Sequence, residues 1–170
     1  MLWYNLTILI SMKTDGKGKM IGEVSAADYD SYTGCFVKNG KYYDMDLKLV
    51  FDESTIEYTL YDSSEYYSIY YKETDYGVVE RSYYIRNGIN VTSLDMPSSA
   101  SNIWTDDTYF RYNYYDANMG TSYTVYCNYQ GKTIFKYDAN ASISVNAVGK
   151  VLIFKVVDNS LGGTSYYIAK

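Results

Sequence analysis

The chain has 170 residues, 24 of them Tyr and none His, with a net charge of −5. The missing His excludes Ser-His-Asp and Cys-His machinery, a His general base and His-ligated metals, and two Cys cannot close a zinc site. The acidic balance argues against nucleic acid as a partner, and no apolar run reaches the roughly 18 residues of a membrane span.

Strand-favouring Val, Ile, Tyr, Phe, Trp and Thr total 68 residues, against 45 strong helix formers. β-branched and aromatic side chains suit a pleated surface and lose rotamer freedom in a helix, so the expected class is all-β. Ordinary apolar residues plus Gly make up 40% of the chain, below the usual share of about 45–50%. Tyrosine rings must therefore fill part of the core.

At the start of the chain, Leu2, Tyr4, Leu6, Ile8, Ile10 and Met12 alternate with Asn5, Thr7 and Ser11. This reads as an amphipathic strand over residues 1–12. It lacks the basic n-region and small-residue cleavage site of a signal peptide. It either pairs within its own sheet or adds to the open edge of a neighbouring subunit, as donated strands do. Lys13, Lys17 and Lys19 follow among two glycines and an aspartate, as in a solvated loop.

Asn39-Gly40 and Asn87-Gly88 are hairpin signals, because a type I′ turn needs positive φ at both central residues. Between them, Met45, Leu47, Leu49 and Phe51 alternate with polar neighbours, as do Ile56, Tyr58 and Leu60, with Asp52-Glu53-Ser54 as the turn. Tyr67, Ile69 and Tyr71 form the next inward set. The stretch 95–108, with Pro97, Trp104, Asp106 and Asp107, is too long for a hairpin loop and reads as a long loop or a crossover. Its Trp and two Asp are the candidate ligand-loop residues.

Asp116-Ala-Asn-Met-Gly120 places oxygens at alternate positions, as calcium loops do. Its Gly falls fifth rather than sixth, and Cys127 stands where a bidentate acid belongs, so a hairpin turn is expected. Strands follow at 122–129 and 133–137. Ala141, Ile143, Val145 and Ala147 alternate without exception, and Val151–Val157, apolar on both sides, reads as a central strand. No internal repeat stands out.

Cys35 and Cys127 form a candidate disulfide which, in the chain-entropy model, would contribute about 4–5 kcal/mol. The alternation places Cys127 inward and Cys35, opposite Asp44, outward, and a one-residue slip of register would reverse this. Asn5, Asn90 and Asn140 lie in N-glycosylation sequons, about as many as chance supplies.

The expectation is a single β domain over residues 1–170: about eleven antiparallel strands in a meander-rich sandwich or partly open barrel, without cofactor or catalysis. Tyr pairs such as Tyr66-Tyr67, Tyr83-Tyr84 and Tyr166-Tyr167 place rings on both strand faces, and outward rings are contact area. A structural subunit follows, extracellular or on a virion surface, assembling with copies of itself through strand edges and tyrosine-rich faces. The alternative is a module binding a carbohydrate or apolar ligand on Tyr and Trp platforms. A glycosidase-like enzyme using a carboxylate pair comes third.

Overall fold

The computed structural model describes residues 9–14, 20–25, 28–75, 79–160 and 162–169. The strand ladders among them are antiparallel, as the short alternating segments predict. The chain falls into two compact units: Met1–Glu57 with Gly88–Asn90, and Tyr58–Asn87 with Val91–Lys170.

In the first unit, β1 (Leu9–Thr14) pairs with β2 (Met20–Ser25) as a two-stranded ribbon. A four-stranded meander follows: β3 (Tyr29–Asp30), β4 (Cys35–Lys38), β5 (Lys41–Tyr43) and β6 (Leu49–Asp52). Asn39 and Gly40 take φ of 52° and 73°, as a type I′ turn requires, so Lys38 faces Lys41 and Phe36 faces Tyr43. Cys35 and Phe36 point to opposite faces, yet both are buried. The outward placement expected for Cys35 is therefore corrected: β4 is covered on both sides at this point.

The strand expected across Asp44–Phe51 is also shorter than its alternation suggests. The Asp44 carboxylate accepts the backbone N–H groups of Asp46 and Lys48, each at 2.9 Å, and Leu47 takes φ of 57°. These bonds close a turn, Met45 is left exposed, and β6 begins only at Leu49.

The second unit is a stack of meanders. β7 (Thr59–Ser63), β8 (Tyr67–Asp75), β9 (Val79–Asn87) and β10 (Asn90–Leu94) form one sheet. β11 (Ser101–Thr105), β12 (Phe110–Asp116), β13 (Thr121–Cys127) and β14 (Thr133–Asp138) form the next. β15 (Ser142–Val148), β16 (Val151–Val157) and β17 (Thr164–Ala169) form the last, with β16 central as its apolar run predicts.

The first two of these sheets face each other across a core of Ile69, Tyr83, Ile85, Phe110, Tyr112, Val125 and Cys127, the arrangement of a β-sandwich. Tyr67 and Tyr71 pack against it beside Ile69, as their alternation predicts. Buried phenols find acceptors: Tyr83 donates to the Ala100 carbonyl at 2.6 Å, and Tyr129 to the Tyr109 carbonyl at 2.9 Å. The middle sheet is covered on its other face too. There Tyr109 and Tyr126 meet Leu152 and Phe154 of β16, with Phe135, Ile143 and Val145 alongside.

Seventeen strands lie among the described residues, against the eleven expected. The stretch 95–108 is a crossover, and it contains β11. The chain leaves β10 at one edge of its sheet and runs to β11, which lies beside β7 at the opposite edge. Asp62 of β7 ties the two, accepting the backbone N–H of Thr105 at 2.7 Å and its hydroxyl at 3.0 Å.

Candidate functional site: a polar cleft and two open edges

Acidic side chains first need placing, because a carboxylate enzyme would be built from them. Asp30, Asp44, Asp52, Asp106, Asp116, Asp138 and Asp158 each accept the backbone N–H of the residue two positions on, at 2.8–3.2 Å. Asn128 does the same for Gln130 at 3.1 Å. These are Asx turns closing the connections between strands. Asp116 also accepts from Met119, making this loop the hairpin turn expected of it. Three turns share the spacing Asp-x-x-x-Gly, with Gly34, Gly120 and Gly162 at φ of 64–69°. Asp52 lies below the usual carboxylate range because Ser54 hydrogen bonds to it and Lys41 stands 3.3 Å away. Asp106 belongs to its turn, and Asp107 accepts the Glu65 N–H at 3.3 Å. Neither acid lines the cleft described below. Among the described residues no three His, Cys, Asp or Glu gather where a metal could bind.

Trp104 does not line that cleft either, but it stands beside a residue that does. In the ladder between β11 and β12 it is opposite Arg111, which is opposite Tyr126 on β13, which is opposite Phe135 on β14. Directly opposed residues share a sheet face, so these four form a row on the face turned toward the last sheet. β16 covers the far half of the row: Phe154 stacks on Phe135 at 4.3 Å and meets Tyr126 edge-on at 5.1 Å. The near half is left open. A cleft of about 340 Å³ remains there, lined by the polar side chains of Asn102, Arg111, Asn113, Thr124 and Tyr126, with Ala139, Ala141 and Ile143 along one wall.

Arg111 stands between two aromatic residues on its row, Trp104 and Tyr126. Its guanidinium lies over the Trp104 ring at 5.3 Å, and it stands opposite Tyr126 across the next ladder. Burial raises the Tyr126 phenol above its ordinary value and Arg111 pulls it back, so the phenol is neutral at pH 7. Burial also pushes Tyr109 up to about 12. Among the described residues, ion pairs join Lys41 to Asp52 and Arg81 to Glu73, and Arg111 belongs to neither.

The second feature is the last sheet. Its edges are β15 and β17. β17 pairs with β16 without slippage and exposes nearly every side chain: Tyr166 is 67% accessible and Ile168 69%. Tyr167 turns inward and packs near Phe135 and Tyr137.

Leu2, Tyr4, Leu6, Ile8 and Asn5 lie outside the described residues, as do Lys17 and Lys19. Ile10 and Met12 belong to β1, whose ladder to β2 of the same chain sets Met12 opposite Glu23 and slips at Ile10. Cys35 and Cys127 are both free and both buried, each within its own unit. Burial pushes the Cys127 thiol up to about 11. Asn90 and Asn140 are exposed. Sequence reasoning missed Asn102, Arg111, Asn113 and Thr124. The available signal was Trp104, but its partner across the ladder depends on a register that the sequence does not display.

Comparison of the chain with protein-family models, curated proteins and solved structures returns no match. The class is set by the fold alone: a tyrosine-rich, all-β protein of antiparallel meanders. No helix among the described residues is long and apolar enough to cross a membrane.

Proposed function

We propose that the protein is a non-catalytic structural subunit that assembles with copies of itself, β17 of one copy pairing with β15 of the next. One observation carries this reading: among the described residues, neither edge of the last sheet is guarded. Proteins blunt strand edges with charge, Pro, bulges or very short strands. β15 and β17 have seven and six residues, no charge, no Pro and no slip in register. Each other described sheet is protected on at least one side. β1 carries Lys13; β3 has two residues; β7 carries Asp62 and a register slip; β11 also slips and β14 carries Lys136 and Asp138.

The two edges also match. β15 turns Ile143 and Val145 inward and Ser144 and Asn146 outward; β17 turns Tyr167 inward and Tyr166 and Ile168 outward. Adding β15 to β17 would continue both faces of the sheet. Because the contact joins two different edges, each addition leaves a fresh pair, and the product is a filament unless the rotation closes a ring. An extracellular filament or virion component is the setting this suits, and the exposed Asn90 and Asn140 are accessible as glycan acceptors must be.

The double variant Tyr166→Lys with Ile168→Lys tests the reading. Both positions are already exposed, so the monomer fold is spared, while charge on the edge opposes pairing. Light scattering should find wild-type assemblies and a monomeric variant with an unchanged circular dichroism spectrum. Equal size distributions for the two proteins would count against the proposal.

A further inference from the structure

We propose that the cleft beside Trp104 binds an acidic monosaccharide unit, its carboxylate on Arg111 and its hydroxyls on Asn102, Asn113 and Thr124. This goes beyond assembly; of the two edge strands only β15 meets the cleft, through the inward-facing Ile143. At about 340 Å³ the cleft is near the small end of ligand sites, which run about 300–1,000 Å³, so it suits one compact molecule.

Its lining selects the chemistry. It offers one guanidinium, two carboxamides, a hydroxyl and a phenol, and no carboxylate. A guanidinium presents a planar fork of five donors that matches a carboxylate, and Arg111 lines the cleft. Carboxamides donate and accept at once, as adjacent sugar hydroxyls require. Ala139, Ala141 and Ile143 supply an apolar wall for the C–H face of a ring. A bare inorganic anion would leave the carboxamides unused, and a neutral sugar would leave Arg111 without its counter-charge.

Two features pre-organise the site. The indole of Trp104 under the guanidinium restrains Arg111, lowering the ordering cost of binding. The ladder between β11 and β12 slips between Ser101 and Trp104; within the slip Asn102 takes φ of 49° and joins the cleft lining. Bulges of this kind re-aim side chains at functional sites.

Saturation-transfer NMR on the full chain, which tolerates assembled protein, provides the test, with D-glucuronate, D-glucose and acetate as probes. Glucuronate should receive at least ten times the saturation of glucose at equal concentration, and equimolar acetate should not displace it. Arg111→Gln should reduce glucuronate to the level of glucose, and Asn113→Ala should weaken it at least fivefold with Arg111 intact. Equal signals for glucuronate and glucose in the wild type would overturn the assignment. So would full displacement by equimolar acetate, or an unchanged glucuronate signal in both variants.

Discussion

Phe154→Ala probes the joint that holds the last sheet on the rest of its unit. Phe154 is fully buried at the centre of β16, 4.3 Å from Phe135 in a stacked pair and 5.1 Å from Tyr126 edge-on. Truncating a fully buried Phe costs about 3–5 kcal/mol, in which each aromatic pair accounts for about 0.5–1.5 kcal/mol. This core is small: Tyr109, Tyr126 and Leu152 are its other buried members, so little material is available to refill the void. The upper half of the range is expected. The loss should also be local. Phe110, equally buried, lies in the separate core between the two larger sheets and keeps its contacts. Urea denaturation should give the magnitude, and hydrogen exchange should find β15–β17 opening ahead of β8, β9 and β12. A cost below about 1 kcal/mol, or equal loss of protection in both cores, would refute the two-core description.

Asp62→Ala should destabilise by about 1.5–3 kcal/mol, because it strands the Thr105 N–H and hydroxyl beside a charged acceptor now missing; chemical denaturation measures it, and a neutral outcome would contradict the tie between β7 and β11. Alkaline stability follows from the tyrosines. Burial raises Tyr109 to about 12 and lifts Tyr112, Tyr126 and Tyr129 as well, whereas the unfolded chain ionises near 10. The unfolded state therefore sheds protons first, so stability is intact below about pH 10 and falls as pH rises toward 12, by roughly 3 kcal/mol for Tyr109 alone. Denaturation midpoints that stay constant from pH 9 to 12 would deny this. Both thiols should resist Ellman's reagent at pH 8 in the native protein and both should react after denaturation, since each is buried and Cys127 is held at about 11. A denatured protein with no free thiol would reinstate the disulfide.

Much of the fold is legible in local pattern. The alternation at Tyr67, Ile69 and Tyr71, the run through β15 and the apolar β16 each occupy the face or position their side chains require. Alternation misleads where a side chain competes for the backbone. Asp44 bonds two N–H groups of the segment that was to be a strand, and the turn wins over the pattern Met45-Leu47-Leu49. The same competition, repeated at Asp30, Asp116 and Asp158 with Gly four places on, is a recurrent turn device visible in the sequence as spacing rather than as a repeat. The cleft was legible only through Trp104. Arg111 reaches it across the β11–β12 ladder, Thr124 lies on a third strand, and Asn102 depends on a slip in register; no short motif spans these positions. The open edges are half legible: the Tyr166-Tyr167 pair marks an outward face, but strand order decides that β17 has no second neighbour among the described residues.

Assembly through the last sheet is most directly tested by multi-angle light scattering of the wild-type chain over a hundredfold range of concentration. Edge-to-edge pairing predicts a mass that grows with concentration beyond a dimer, without levelling at a closed number unless a ring forms. A mass fixed at 19.5 kDa throughout would contradict it.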